Sequence, residues 1–193
     1  MKKFSLPKDG GLIEGGLPNG VKHTYERIPA HIFEDEDAAS ERLAEKIAQS
    51  INSCDGVFKL GLTTGSSPIA IYRNLVKRYE AGELSFKNVE IYSIDEYYPA
   101  PADGQSRNRR LYEELVSKVD IKPENVHVPK LTEIHDSAYV TEFCAEYDAK
   151  ATGLDLLIMG TGEKGQIGFN EAGASENSRT RTVQLSYGSR KRQ

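Results

Sequence analysis

Three short stretches of the chain hold residue types that can do chemistry. The first is Leu62-Thr63-Thr64-Gly65-Ser66-Ser67-Pro68, a hydroxyl-rich turn with one glycine. The second is Asp95-Glu96-Tyr97-Tyr98, an acidic pair followed by two aromatics. The third runs from Gly160 through Lys164, Gln166, Gly168 and Phe169 to Glu171, a glycine-rich loop that ends on a carboxylate. A turn of small residues just before a helix offers free N–H groups and the positive end of the helix dipole, which favour an anion such as phosphate. No Gly-Lys-Ser/Thr follows, so the turn is not a Walker A loop. On its own pattern it reads equally well as an ordinary strand-to-helix connection. Asp95 alone reads as a strand-end cap. His23, His31, His127 and His135 show no metal-ligand spacing.

Each stretch follows an apolar run. Residues 57–62 predict a strand, and residues 68–80 a helix with Ser67 as N-cap and Pro68 as its first residue. Tyr72, Leu75, Val76 and Tyr79 line one face of that helix, and Gly82 is its stop. Residues 89–94 predict the strand that delivers Asp95. Residues 154–159 are almost wholly apolar, which predicts a central parallel strand covered on both faces. Helical periodicity marks residues 35–54, 106–119 and 137–151, and residues 125–128 and 180–185 read as short strands. This alternation predicts an α/β fold, a doubly wound parallel sheet with helices on both faces. The carboxyl ends of parallel strands share one edge, so the three stretches are expected to meet there. Residues 1–20 hold seven glycines and prolines and read as a loose N-terminal arm. A strand-like stretch covers residues 25–33, and residues 21–193 are expected to form a single domain.

In this order the motifs resemble those of the glucosamine-6-phosphate deaminases, with the 6-phosphogluconolactonases as more distant kin. Leu62 to Pro68 is similar to the family's phosphate loop, and Ile94-Asp95-Glu96-Tyr97 to its Asp-Glu-Tyr segment. Gly165-Gln166-Ile167-Gly168-Phe169-Asn170-Glu171 is similar to its Gly-His-Ile-(Ala/Gly)-Phe-Asn-Glu segment. Ser178-Arg179-Thr180-Arg181 matches the Ser-Arg-Thr-Arg that follows. The resemblance implies a Rossmann-like sugar-phosphate isomerase fold. It also implies a reaction in which glucosamine 6-phosphate and water yield fructose 6-phosphate and ammonia. Asp95 then matches the base that moves a proton between C2 and C1, and Glu171 the acid that assists ring opening. Thr64, Gly65, Ser66 and Ser67 match the phosphate loop, and Arg190 the arginine that reaches the same phosphate. No metal or organic cofactor is implied, because the substrate's carbonyl is the electron sink. Members often form oligomers, so a homo-oligomer is open to this chain.

The match breaks at named positions. The family's ring-opening histidine is Gln166, which hydrogen-bonds but does not titrate near neutral pH. The position two before it, often aspartate, is Lys164, which reads as a solvated loop lysine. The usual proline after Glu171 is Ala172. Members also continue past the position of Gln193, so the resemblance implies a C-terminally truncated or unusually short chain. Two further readings follow: a sugar-phosphate-binding regulatory domain without turnover, and a 6-phosphogluconolactonase-like hydrolase. The run Arg107, Arg109 and Arg110 reads as a solvated face that could add to a sugar-phosphate pocket.

Whole-chain properties fit this reading. A length of 193 residues suffices for one domain with a real core. A formal net charge of −4 argues against a general nucleic-acid binder, and no apolar run approaches membrane-spanning length. The basic Met1-Lys2-Lys3 is followed by Pro7, Asp9, Gly10 and Gly11, where a signal peptide needs an apolar core. Cys54 and Cys144 lie far apart and read as two reduced, buried thiols of a cytoplasmic protein.

Overall fold

The computed structural model describes residues 12–13, 30–102 and 105–191. Its elements, in chain order, are β1 (Leu12–Ile13), β2 (Ala30–His31), α1 (Glu36–Asn52), β3 (Phe58–Leu62), α2 (Ile69–Glu80), β4 (Val89–Ser93), α3 (Arg109–Glu114), β5 (Val126–His127), α4 (Ser137–Lys150), β6 (Leu156–Leu157) and α5 (Tyr187–Lys191). β1 and β2 pair antiparallel, apart from the main sheet. The rest of the expected arm, His23 and most of the stretch at 25–33 lie outside the described residues.

The main sheet has four parallel strands in the order β5-β4-β3-β6. Its central pair is in register from Phe58↔Val89 to Leu62↔Ser93. Side chains alternate across a strand. Phe58, Leu60, Leu62, Val89 and Ile91 therefore share one face, where they form an apolar core with Ala44, Ile47 and Ile51 of α1 and Ile71, Tyr72 and Leu75 of α2. Tyr92 takes the other face. Its ring stacks on His127, and the Lys59 ammonium lies 5.6 Å from its centroid. Lys59 Nζ in turn donates to the carbonyls of Lys150 and Thr152 at the end of α4. Helices thus cover both faces of a doubly wound parallel α/β sheet. The chain leaves β3 toward β4 and β5, then crosses back to place β6 on the other side of β3. The loops after β3 and β6 part at this switch point, where open α/β sheets leave a crevice.

Local chemistry accounts for the element ends. Asp35 caps α1 by accepting from the Ala38 N–H at 2.8 Å, with Glu36 and Asp37 in the first turn where the dipole favours them. Asp136 caps α4 in the same way through Tyr139 N.

Five expectations need correction. Helix α2 begins at Ile69, with Pro68 as its cap residue and no side-chain cap from Ser67. The helix expected at 106–119 is only α3 and a 3-10 turn at Val116–Lys118. Its expected first turn is diverted, because Ser106 Oγ, Arg107 N and Asn108 N all donate to Glu96. β6 is the edge strand of the sheet, not a central one. Only Leu156 and Leu157 pair with β3, and Leu157 and Met159 are exposed. Residues 180–185 form no strand. The Thr180 N–H and hydroxyl are instead bonded to Asp148 Oδ1 of α4, at 3.1 and 2.6 Å. Cys54 and Cys144, expected to be buried, are both only half-buried.

Candidate active site

The loops after β3, β4 and β6 converge on a broad cleft at the carboxyl edge of the sheet. Thr64, Gly65, Ser66, Asp95, Glu96, Lys164, Gln166, Gly168, Glu171 and Arg190 all line it. Ser67 is exposed outside that lining.

Asp95 lies at the floor and is only 7% exposed. Its Oδ1 accepts a hydrogen bond from the Thr64 hydroxyl. Its Oδ2 is buried without a hydrogen-bond partner, and the nearest cation is Arg107 Nη2 at 3.7 Å. The Asp95 carbonyl accepts from Asn108 Nδ2 at 3.0 Å and from Ser93 Oγ at 3.2 Å, which fixes the backbone beneath the carboxylate. Burial raises the Asp95 carboxyl above the ordinary aspartate range, and Thr64 and Arg107 pull it only part of the way back.

Glu96, next in sequence, does different work. It accepts from Ser106 Oγ, Arg107 N, Asn108 N, Asn108 Nδ2 and Tyr97 N. Burial pushes its carboxyl up, but these bonds outweigh burial and leave it below the ordinary range. The acidic pair therefore divides into a buried Asp95 whose proton affinity is raised and a Glu96 whose proton affinity is lowered by the bonds that tie residues 106–108 to the end of β4.

In the first loop, the N–H groups of Gly65, Ser66 and Ser67 meet no acceptor among the described residues, so they are open to an anion. Thr64 is buried, and its hydroxyl serves Asp95. Beneath the loop, the buried Tyr72 hydroxyl of α2 donates to the Thr63 carbonyl.

The third loop folds on itself. Gly162 N donates to Gln166 O at 2.8 Å, and Gln166 Oε1 accepts from Lys164 N at 3.0 Å. The Gln166 amide lies so close to Gly162 that a Cβ there would come within 2.3 Å of it. Lys164 is exposed. Gly168 has φ +56, and a Cβ on it would lie 3.2 Å from Asp95 Oδ2, so the loop rests on the Asp95 carboxylate. Phe169 packs on Tyr97 with centroids 5.5 Å apart.

Glu171 is bound to the start of α5. It accepts from Ser186 N and Ser186 Oγ, each at 3.0 Å, and from the Ser189 hydroxyl. Ser189, the Ser186 N–H and, more weakly, Lys164 hold its carboxyl below the ordinary range. Arg190 follows on α5 with its side chain exposed to the cleft. In the Ser-Arg-Thr-Arg segment, Thr180 is pinned to α4 and Arg181 Nη2 donates to Asn170 Oδ1 at 2.9 Å. Among the described residues no group of three or more His, Cys, Asp or Glu side chains is arranged to hold a metal ion.

Sequence reasoning missed Asn108, Ser186 and Ser189. Of the two readings of Arg107, Arg109 and Arg110, a solvated face or an addition to the pocket, all three line the cleft and Arg107 reaches Asp95. Nothing in the pattern distinguishes Ser186 and Ser189 from loop serines.

The family profile described as glucosamine-6-phosphate isomerases/6-phosphogluconolactonase matches residues 34–178. A glucosamine-6-phosphate isomerase of Candida albicans is 42% identical over 158 residues, which is 80% of this chain and 62% of that protein. Glucosamine-6-phosphate deaminase 2 of Bacillus subtilis is 37% identical over 131 residues, 66% of this chain and 51% of that one. The chain thus spans between half and two thirds of the length of these curated relatives. The solved structure of a monomeric glucosamine-6-phosphate deaminase superposes with a TM-score of 0.74 at 28% identity, covering 82% of this chain and 65% of that one. The profile covers most of the chain and the fold superposes on a solved member, and the chain belongs to the family of glucosamine-6-phosphate isomerases and 6-phosphogluconolactonases.

Proposed function

We propose that the chain carries the substrate site of a glucosamine-6-phosphate deaminase, which converts glucosamine 6-phosphate and water to fructose 6-phosphate and ammonia. The observation that carries this reading is Asp95, a buried carboxylate with one oxygen free of hydrogen bonds at the point where three loops meet. The phosphate engages the N–H groups of Gly65, Ser66 and Ser67, with Thr64 at the edge and Arg190 supplying a forked cation. Asp95 takes the proton from C2 and returns it to C1. One carboxylate suits both steps, since a base that has gained a proton is the acid for the next. Its raised proton affinity brings it nearer the balance such a shuttle needs. Glu171 assists ring opening beside Gln166 and Lys164. The open-chain carbonyl takes up the electron pair, so the chemistry calls for no metal or organic cofactor. The partner is a small sugar phosphate, because a formal net charge of −4 gives no basic face for nucleic acid. The unpaired Cys54 and Cys144 suit a reducing cytoplasm.

A second reading, sugar-phosphate binding without turnover, is favoured by Gln166. Its amide is folded against Gly162 and cannot exchange a proton as histidine does. Ammonia release and fructose 6-phosphate formation separate the two readings, measured on the chain and on Gln166→His. In the deaminase reading both turn over, and the histidine raises the rate by on the order of 10²-fold. Thermal protection by the sugar phosphate with no turnover in either protein selects the binding reading. No protection at all removes both.

A further inference from the structure

Arg107 lies against the base of the proposed reaction and has no part in the scheme above. Its Nη2 is 3.7 Å from Asp95 Oδ2. Its guanidinium carbon sits 5.0 Å from the centroid of Phe169, over the ring face. Its backbone N–H donates to Glu96 Oε1 at 3.0 Å, so the chain at Arg107 is fixed to the end of β4. The side chain is 23% exposed. By contrast, Arg109 pairs with Glu113 on the surface.

We propose that Arg107 is a positioning residue for Asp95, pairing with Oδ2 while it holds the Gly168–Phe169 turn over the carboxylate. This rests on the deaminase reading of Asp95. A guanidinium is suited to both tasks, since its edge pairs with a carboxylate while its face stacks on an aromatic ring. Thr64 fixes one carboxylate oxygen by a hydrogen bond and Arg107 steers the other by charge. A separation of 3.7 Å is beyond hydrogen-bond length, so Oδ2 keeps its lone pair for a substrate proton. The groups that face Asp95 are Thr64 and the Tyr72 hydroxyl from the neighbouring elements, Glu96 and Tyr97 from its own segment, and Arg107. Among these, Arg107 alone is positive. Its loss therefore raises the proton affinity of Asp95.

The test uses the full chain with Arg107→Met, which keeps length and removes charge, and Arg107→Lys, which keeps charge and loses the planar face. Carboxyl titration followed by NMR, with Asp95 assigned through Asp95→Asn, reads the pairing without catalysis. Arg107→Met is expected to raise the proton affinity of Asp95 roughly tenfold, and Arg107→Lys to restore most of it. Ammonia release against pH is the second readout. In Arg107→Met its acid limb moves to higher pH and kcat falls more than KM changes, and lysine returns the limb toward the parent. Should Arg107→Met fail to fold, Arg107→Gln replaces it with the same expected titration. An unchanged Asp95 titration overturns the proposal, as does an equal loss in Met and Lys variants with the acid limb unmoved. A parent that binds the sugar phosphate but releases no ammonia sinks the deaminase reading alone, and the titration still decides the role of Arg107.

Discussion

The hydroxyl of Thr64, two residues past β3, donates to Asp95 Oδ1, two residues past β4. The residue matched to a phosphate loop is thus joined to the residue matched to a catalytic base. Parallel pairing creates this link. Register Leu62↔Ser93 brings the two strand ends level, so residues equally far beyond them face each other. The proposed anion loop at residues 64–67 and the placement of the carboxylate consequently share one side chain.

Asp95 should cost the fold stability at neutral pH. Burial raises its carboxyl above the ordinary value of 3.8, so the folded chain holds the proton more tightly than the unfolded chain. The ionised form is therefore disfavoured in the fold, and the cost grows as pH rises through the window above the unfolded value. Asp95→Asn removes that charge, and Thr64 can turn its hydroxyl to accept from the new amide. We expect Asp95→Asn to abolish ammonia release and to raise the Tm at pH 7 by roughly 2–4 °C, the scale of about 1 kcal/mol. The gap should close below pH 4. A lower Tm at neutral pH, with no closing of the gap in acid, contradicts the assignment.

Glu96 has the opposite sign. Its hydrogen bonds hold it below the ordinary value of 4.5, against burial, so its contribution is present above that value and is lost as pH falls through the folded pKa. Glu96→Ala strands donors from Ser106, Arg107 and Asn108 and should cost about 1–3 kcal/mol at pH 7. Urea unfolding at pH 7 and pH 3 checks this. The deficit should be larger at the first than at the second.

The parts legible in the sequence are those set by local pattern. β3, β4, α1 and α4 end within two residues of the expected runs, because the strands are short apolar runs and the helices start on local caps. The meeting of the three loops also followed, since parallel strands put their carboxyl ends on one edge. What escaped was long-range. The turn at Ser106–Asn108 has helical propensity, yet its donors belong to Glu96, ten and more residues away. Thr180 looked like a strand residue and is bonded to Asp148 instead. The run 154–159 is apolar enough for a central strand, but which side a strand's neighbours occupy is a property of the sheet order alone. Arg107 could not be told from Arg110 without Phe169 and Asp95 in place around it.

Gly168 is required twice, by backbone and by space. Its φ of +56 favours glycine, and a Cβ would sit 3.2 Å from Asp95 Oδ2 and 3.4 Å from Ile94 Cδ1. Gly168→Ala should cost about 1–2 kcal/mol from the left-handed backbone alone. It should also lift the turn off Asp95 and reduce turnover more than sugar-phosphate affinity. Chemical denaturation and a kcat against KM comparison read the two effects separately. An unchanged stability would mean that the turn is free to move away from Asp95.

Arg190 and the residues Gly65 and Ser66, whose N–H groups meet no acceptor among the described residues, line one cleft. A forked guanidinium on phosphate contributes charge-assisted hydrogen bonds of about 1.5–3 kcal/mol. Arg190→Ala should therefore weaken fructose 6-phosphate binding by roughly 10- to 100-fold. Protection against thermal unfolding across a fructose 6-phosphate titration measures this, with Arg42→Ala on α1 as the control that keeps full affinity. Inorganic phosphate should protect weakly in the parent and less in Arg190→Ala, and both effects should shrink as ionic strength rises. Equal protection of parent and variant at every concentration would place the phosphate elsewhere in the cleft and leave the loop after β3 as a strand-to-helix turn.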